Sequence, residues 1–458
     1  MIYWWTAIPF VVMLVAIAVL PLLPATRHWW DRPSHQLLVS VLLGAPTAAA
    51  MIAAGHGLGV AEALVEYGQF VILLFGLFVV AGGLALTGDL AGTPKVNAVF
   101  LGLGALLASL IGTTGAAMLL IRPLLISNAH RRHRTHIVIF AIFMMANCGG
   151  LLTPLGDPPL FLGFLRGVPF AWTLGLAPQW LLVNGLLLLT FVCLDSALMA
   201  DDDRTLDVVE PWGIVGKLQI IWFVVIVAAV ALVPSTNLEA ALHQDWAAAV
   251  PWRELVVLAA AGASWLTSPK RARFEINHFT FTPILEVAAL FVGIFVTMVP
   301  ALLLLEAHAG AMRLGPVGLH LLTGGFTSVL DNAPTYATFF EIAKASPQVG
   351  PLVAGVSAAD LAAISTGAVF FGAMTYIGNG PNFMVRAVAV SRGVPMPSFV
   401  GYLAWSVRWL LPVLVASMLV FTAQPWWAKL AGGVLAALLA VRALLVLRRA
   451  RRSPTGVR

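Results

Sequence analysis

Asn147-Cys148-Gly149-Gly150-Leu151-Leu152-Thr153-Pro154-Leu155-Gly156-Asp157-Pro158-Pro159 interrupts an apolar run long enough to cross a bilayer. A second interruption, Tyr376-Ile377-Gly378-Asn379-Gly380-Pro381-Asn382, lies in another such run. Each puts Gly, Pro, Asn or Asp where a membrane helix should be unbroken. Hydrocarbon offers no water to an unpaired backbone group, so non-helical backbone survives there only where it lines protein or a water-filled cavity. Interruptions at corresponding places in the two halves of a chain point to a transporter's binding site.

Outward from these stretches the chain is apolar almost throughout. Of 458 residues, 60% are hydrophobic and only 10% are charged, against roughly 25% charged in soluble domains. The composition therefore specifies a polytopic membrane protein. The net charge of +6 is not a nucleic-acid signal, because the basic residues sit in short loops and a tail, as positive-inside topology requires. No nucleic-acid partner is expected; the lipid bilayer is. Cys148 and Cys193 both fall in apolar segments, so no disulfide framework is expected. The start, Met1-Ile2-Tyr3-Trp4-Trp5, lacks the positive region of a signal peptide. Its apolar run reads as a retained span, N-terminus outside, anchored by Trp4 and Trp5.

A span needs about 20 apolar residues. Full-length candidates are residues 5–24, 36–55, 68–88, 136–166 (interrupted), 178–198, 217–234, 250–267, 283–305, 361–385 (interrupted), 405–423 and 426–447, about 11 spans in all. Residues 97–127 and 315–345 differ, carrying Gly112-Thr113-Thr114-Gly115 and Asp331-Asn332-Ala333-Pro334 at their middles. That pattern suits a re-entrant helical hairpin with its tip at the midplane; the alternative is a pair of spans with a short turn. The fold class expected is an all-α polytopic membrane protein of two inverted-topology repeats, each with a re-entrant hairpin and a broken helix, the breaks unwinding at about 153–158 and 377–382.

Charge counting supports that layout. With the N-terminus outside and both hairpins re-entrant, the inner loops receive Arg27, Arg32, Lys95, Arg131-Arg132-His133-Arg134, Arg204, Lys217, Lys270-Arg271, Arg273 and Arg392. The tail Arg448-Arg449-Ala450-Arg451-Arg452 is also inside. Outer segments keep Arg166, Arg253, Arg313, Lys344 and Lys429, together with Glu62, Glu66, Glu239 and Asp245. The chain then divides into a first repeat, 1–198 (hairpin 97–127, broken helix 136–166), a cytoplasmic linker, 199–216, a second repeat, 217–425 (hairpin 315–345, broken helix 361–385), and an extra helix with a basic tail, 426–458. Arg166-Gly167-Val168-Pro169 follows the first break and Arg392-Gly393-Val394-Pro395 the second. The location expected is a bacterial-type inner (plasma) membrane with the C-terminus in the cytoplasm.

A charge inside the membrane costs about 2.5–3.5 kcal/mol on insertion scales, so each one is a functional candidate. Asp157 lies in the first break and Asp331 at the second hairpin tip. Either can bind a cation or carry a proton from a cavity, or can simply cap a half-helix, where Asp is favoured anyway. Asn147, Asn332, Asn379 and Asn382 offer amides, Thr113, Thr114 and Thr153 hydroxyls, and the glycines free carbonyls. Hard cations such as sodium prefer oxygen ligands of this kind, whereas half-helix N-termini favour anions. Glu286 and Glu341 read as gate or relay residues, or as interfacial ones. Arg122 and Arg386 read as loop anchors. His130-Arg131-Arg132-His133-Arg134-Thr135-His136 reads as a cytoplasmic anchor. No phosphate-binding loop, nucleophile elbow or zinc motif is present in the sequence, so an enzyme is not expected.

The Gly-Gly-x-x-Thr-Pro-x-Gly-Asp pattern within 147–159, Asp331-Asn332-Ala333-Pro334 and Ile377-Gly378-Asn379-Gly380-Pro381-Asn382 resemble the ion transporter superfamily. That group includes NhaD-type sodium/proton antiporters, ArsB-type arsenite permeases, and citrate and dicarboxylate transporters. The resemblance is nearest to its NhaD-like and citrate-transporter branch and covers roughly residues 30–425. It implies inverted repeats, sites at the hairpin tips and breaks, a homodimer formed through a scaffold, and elevator-like motion. Carried over, Thr113, Thr114, Asn147, Thr153 and Asp157 form one half-site; Asp331, Asn332, Thr335, Asn379 and Asn382 form the other. Sodium would sit at Asp157, Asp331, Asn332 and Asn379. No cofactor is implied beyond coupling ions, Na+ and/or H+. The carboxylate transporters carry Ser-Asn-Thr at both hairpin tips; this chain has Gly-Thr-Thr-Gly and Asp-Asn-Ala-Pro. Negative charge at a tip disfavours a di- or tricarboxylate. Alternating-access sodium/proton antiport is therefore the leading expectation, with ion-coupled transport of citrate or another organic anion as the alternative.

Overall fold

In a computed structural model the chain is described for residues 3–21, 23, 25–88, 91–199, 213–236, 238, 241, 246–308 and 314–452. Most of the expected linker, including Asp201-Asp202-Asp203-Arg204, lies outside these residues, as do Glu239, Asp245 and Arg313.

Ile8–Val19 (α1), Pro33–Ala53 (α2) and Gly57–Gly82 (α3) open the chain. Pro94–Ile111 (α4) and Thr113–Ser127 (α5) are packed together and separated by Gly112 alone. Gly112 has φ +82, left-handed backbone that glycine adopts without a Cβ penalty. Thr135–Met144 (α6) and Pro158–Leu165 (α7) are the two pieces of the first interrupted span, and Ala177–Met199 (α8) follows. Gln219–Leu232 (α9), Trp252–Thr267 (α10) and Thr282–His308 (α11) begin the second half. Pro316–Thr327 (α12) pairs with Asn332–Ala345 (α13), and Ala358–Phe371 (α14) with Gly380–Ser391 (α15) makes the second interrupted span. Phe399–Thr422 (α16) and Trp426–Arg452 (α17) close it.

The starts of these helices are written in the sequence. Proline opens α2, α4, α7, α12 and α15, where the missing N–H is one of the orphan donors anyway. The Thr93 hydroxyl accepts from Val96 N at 3.3 Å and caps α4. Two short antiparallel pairings complete the regular structure. Ala85–Thr87 pairs with Gly213–Val215, tying the loop after α3 to the end of the linker, and Leu352–Val353 pairs with Val356–Ser357.

The helices fall into two packed groups. One contains α1, α2, α3, α9, α10 and α11. The other contains both helix pairs, both interrupted spans, α8, α16 and α17. They meet chiefly where α3 packs on α5 and α7, and where α11 packs on α13. Arg166, at the end of α7, reaches across both seams, to Glu66 of α3 at 3.1 Å and to Glu341 of α13 at 3.2 Å.

Eight described helices are long and apolar enough to cross a membrane by length and composition, with four shorter apolar helices beside them, as an all-α polytopic membrane protein requires. Other expectations need correction. α4, the first leg of the first pair, is one of the eight with its 18 residues, so length does not separate a re-entrant leg from a span. α3 begins at Gly57 rather than 68, which puts Glu66 in a helix rather than an outer loop; its ion pair with Arg166 makes the charge tolerable there. The breaks also shift. Regular α-helix is absent from Met145 to Asp157 and from Gly372 to Asn379, instead of 153–158 and 377–382. Short 3₁₀ turns, Cys148–Leu152 and Gly372–Met374, fill the first part of each break. Gly380, Pro381 and Asn382 belong to α15, because proline at a helix start opens the helix. Arg273, expected as a loop charge, is buried, stacked 4.6 Å from the Trp265 ring and donating to Val79 O at 2.9 Å. Burial lowers its pKa to about 10.

The repeated Arg-Gly-Val-Pro has a structural meaning. Val168 N bonds Gly163 O at 3.0 Å and Val394 N bonds Ala389 O at 3.0 Å, with Gly167 at φ +94 and Gly393 at φ +72. This is the Schellman end of a helix, in which glycine takes the left-handed position and the next apolar residue folds back onto the core. Val168 and Val394 are both buried.

Candidate functional site

Four helix N-termini meet at one place. Gly112, Asp157, Asp331 and Asn379 are the residues immediately before α5, α7, α13 and α15, and all four line one cavity of about 150 Å³. Its far wall is α3 and α11, through Phe70, Leu73, Leu77, Glu286 and Phe291. The cavity thus lies on the seam between the two helix groups. It is smaller than the roughly 300–1,000 Å³ of pockets for drug-sized ligands.

Asp157 is the centre. It is 2% exposed, and its side chain does not cap α7. Instead Thr113 Oγ1 and Asn379 Nδ2 each donate to Oδ1 at 3.0 Å, and Asn332 Nδ2 donates to Oδ2 at 2.5 Å. One carboxylate therefore gathers both helix pairs and the second break. The cap-only reading of Asp157 fails on this geometry. Asp331 behaves otherwise: its Oδ1 accepts from Ala333 N at 3.4 Å, a weak cap, while the residue lines the same cavity.

A second layer braces the first. Asn147 Nδ2 donates to Asn382 Oδ1 at 2.7 Å and to Ile142 O at 2.8 Å. Asn379 Nδ2 lies 3.2 Å from Asn147 Oδ1. Asn382 Nδ2 donates to Gly372 O at 2.8 Å and Thr375 O at 2.9 Å, satisfying carbonyls freed by the second break. Asn147 and Asn382 thus hold the two breaks together and do not line the cavity.

Each break is pinned to its own helix pair in the same way. Thr153 Oγ1 donates to Ser109 O, and Thr375 Oγ1 donates to Ser328 O at 2.6 Å. Each hydroxyl then accepts from a backbone N–H two residues on, Leu155 N and Ile377 N, both at 3.2 Å. Ser109, Ser328 and Thr375 are absent from the sequence-derived site. They are ordinary hydroxyls in apolar runs, and only the position of Thr375 opposite Thr153 in the second break signals its role. Thr335 bonds Asp331 O at 2.9 Å within its own helix and does not reach Asp157. Thr114 lines the cavity, and Thr153 is structural.

The glycines allow the close approach. A Cβ on Gly156 would collide with the Gly150 carbonyl, and one on Gly378 would lie 2.6 Å from Gly372 O. Gly156→Ala should therefore spread the first break apart. Overpacking alone costs about 1–3 kcal/mol, and backbone carbonyls yield less than side chains. The expected outcome is loss of the monodisperse peak on size-exclusion chromatography, while Gly185→Ala, which meets nothing within 4 Å, elutes normally. A monodisperse Gly156→Ala protein with wild-type thermal stability would contradict the packing described.

The electrostatics can be weighed. Each helix N-terminus acts as roughly +0.5 charge, so four supply about +2. Asp157 and Asp331 nominally offset that, and Glu286 adds a third carboxylate. No Lys, Arg or His lines the cavity, and among the described residues no basic side chain forms an ion pair with Asp157.

No curated relative matches the chain at a significant level. A family model described as "Putative citrate transport" matches residues 1–422. A polar site among apolar helices, on the seam of two helix groups, fits that assignment, and the chain belongs to this family of membrane transporters.

Proposed function

We propose that the protein is a secondary transporter that exchanges a small cation, sodium in the first instance, for protons at Asp157. The observation that carries this reading is a buried carboxylate held by three neutral donors, on a cavity with two further carboxylates and no basic side chain. An intramembrane charge without a basic partner needs a cation or a proton to accompany it through the membrane. Sodium and a proton compete for the same oxygens, which is the minimal requirement for exchange. The seam between two helix groups supports alternating access by movement of one group against the other, with inverted repeats as its basis. A homodimer through the group containing α3 and α11 belongs to the same proposal.

The family description favours a second reading, transport of citrate or another organic anion. The four N-termini supply its positive field. With Asp157 and Asp331 already opposing that field, such an anion would enter only with compensating cations. Reconstituted protein distinguishes the two. An imposed sodium gradient should change the internal pH of proteoliposomes without citrate present. A pH change that appears only with citrate would replace the first reading by the second, and no response to either would overturn both.

A further inference from the structure

We infer that a second site, away from the central cavity, binds the phosphate of an anionic phospholipid headgroup. The site is a cavity of about 610 Å³ between the loop joining α5 to α6, the end of α8, and the first half of α16. Arg132 and His133 of the loop and Arg408 of α16 line it, with the indoles of Trp405 and Trp409, and no Asp or Glu is among its lining residues. Arg442 of α17 joins the cluster. Its guanidinium sits 4.3 Å from the Trp409 ring, that of Arg408 sits 5.1 Å from the same ring, and Arg442 Nη1 donates to Arg408 O at 3.2 Å. Two cations sharing one indole repel each other, and among the described residues neither has an ion-pair partner. An anion between the loop and α16 relieves that repulsion.

The loop is built to hold its charges in place. Arg131 beside it is 4% exposed and locked to Asp195 at 2.7 Å. Arg134 Nη2 donates to Gly393 O at 3.2 Å and Thr135 Oγ1 to Pro395 O at 2.9 Å, fastening the loop across to the second half. Guanidinium groups fork onto phosphate oxygens. Tryptophan favours headgroup depth, and basic pockets between membrane helices accept lipid headgroups. Beside the pocket, Val400 and Val407 of α16 are 73% and 48% exposed, an apolar face for acyl chains. That face favours a lipid over a free phosphate. Charge counting puts the loop on the cytoplasmic side.

The test uses full-length protein, delipidated in neutral detergent and read by native mass spectrometry. Dioleoylphosphatidylglycerol should be retained and dioleoylphosphatidylcholine should not. Arg408→Gln and Arg132→Gln should each weaken retention about fivefold, the worth of one basic residue at a membrane surface. Lys270→Gln, an exposed basic residue elsewhere, should have no effect. Thermal stability of the variants without lipid should match wild type, which separates lost binding from lost fold. Equal retention of the zwitterionic lipid, or equal loss in Lys270→Gln, would overturn the site. Displacement by a large excess of inorganic phosphate would overturn the lipid as its source.

Discussion

Asp157→Asn is expected to reduce sodium-driven proton movement in proteoliposomes to the protein-free background while leaving the protein folded. Asparagine at the residue before a helix is as favourable as aspartate, and the backbone bond from Leu160 N to Asp157 O is indifferent to the side chain. The amide oxygen still accepts from Thr113 and Asn379. The new amide nitrogen faces Asn332 Nδ2, donor against donor. Turning the Asn332 amide presents its Oδ1, which is buried without a partner in the wild type. The structural cost is thus one rearranged hydrogen bond, about 1 kcal/mol. The functional loss should be complete, because a neutral amide neither carries a proton nor compensates a cation. A variant that exchanges normally would reduce Asp157 to a structural knot and pass most of the weight to the organic-anion reading.

The largest effect on stability should come from a site remote from transport. Asp195 is fully buried in α8. It receives Arg131 at 2.7 Å, His136 Nε2 at 2.8 Å and Asn97 Nδ2 at 2.9 Å, while Asn97 and Asn128 bond each other reciprocally. Asp195→Asn removes the carboxylate that faces a buried guanidinium. Breaking a buried pair from one side costs about 3–5 kcal/mol, because an uncompensated charge remains. The melting temperature in detergent should fall clearly below that of Asp157→Asn. Adding Arg131→Gln to Asp195→Asn should recover part of the loss, since neutral amides of similar size leave no buried charge. A single variant as stable as wild type would show that the network does not hold the α5–α6 loop.

How much of this molecule can be read from its sequence follows from the chemistry of each signal. Gly, Pro, Asn and Asp inside apolar runs are costly in lipid, so Asp157, Asn332, Asn379 and Asn382 stand out by residue type and position alone. The fold gathers them within one hydrogen-bonded network. The hairpin tips show as polar residues amid hydrophobic flanks and fall at Gly112 and 328–331. Hydropathy is blind to the rest. The 3₁₀ turn Cys148–Leu152 is largely apolar, so the break looks shorter in sequence than it is. Ser109 and Thr375 bond backbone carbonyls, a role any membrane helix also gives to Ser and Thr. Asp195 hides in a long apolar helix because its partners, Asn97, Arg131 and His136, come from other elements. Glu66 looks like a loop residue for the same reason, its partner Arg166 lying 100 residues away.

In the exchange proposed for this transporter, cation and proton compete at one carboxylate. The most direct measurement is proton release from purified protein in weakly buffered detergent solution when sodium chloride is added, with choline chloride as the ionic-strength control. Wild type should release protons on sodium addition and none on choline addition, and Asp157→Asn should release none with either salt. Proton release from Asp157→Asn equal to that of wild type would contradict the account.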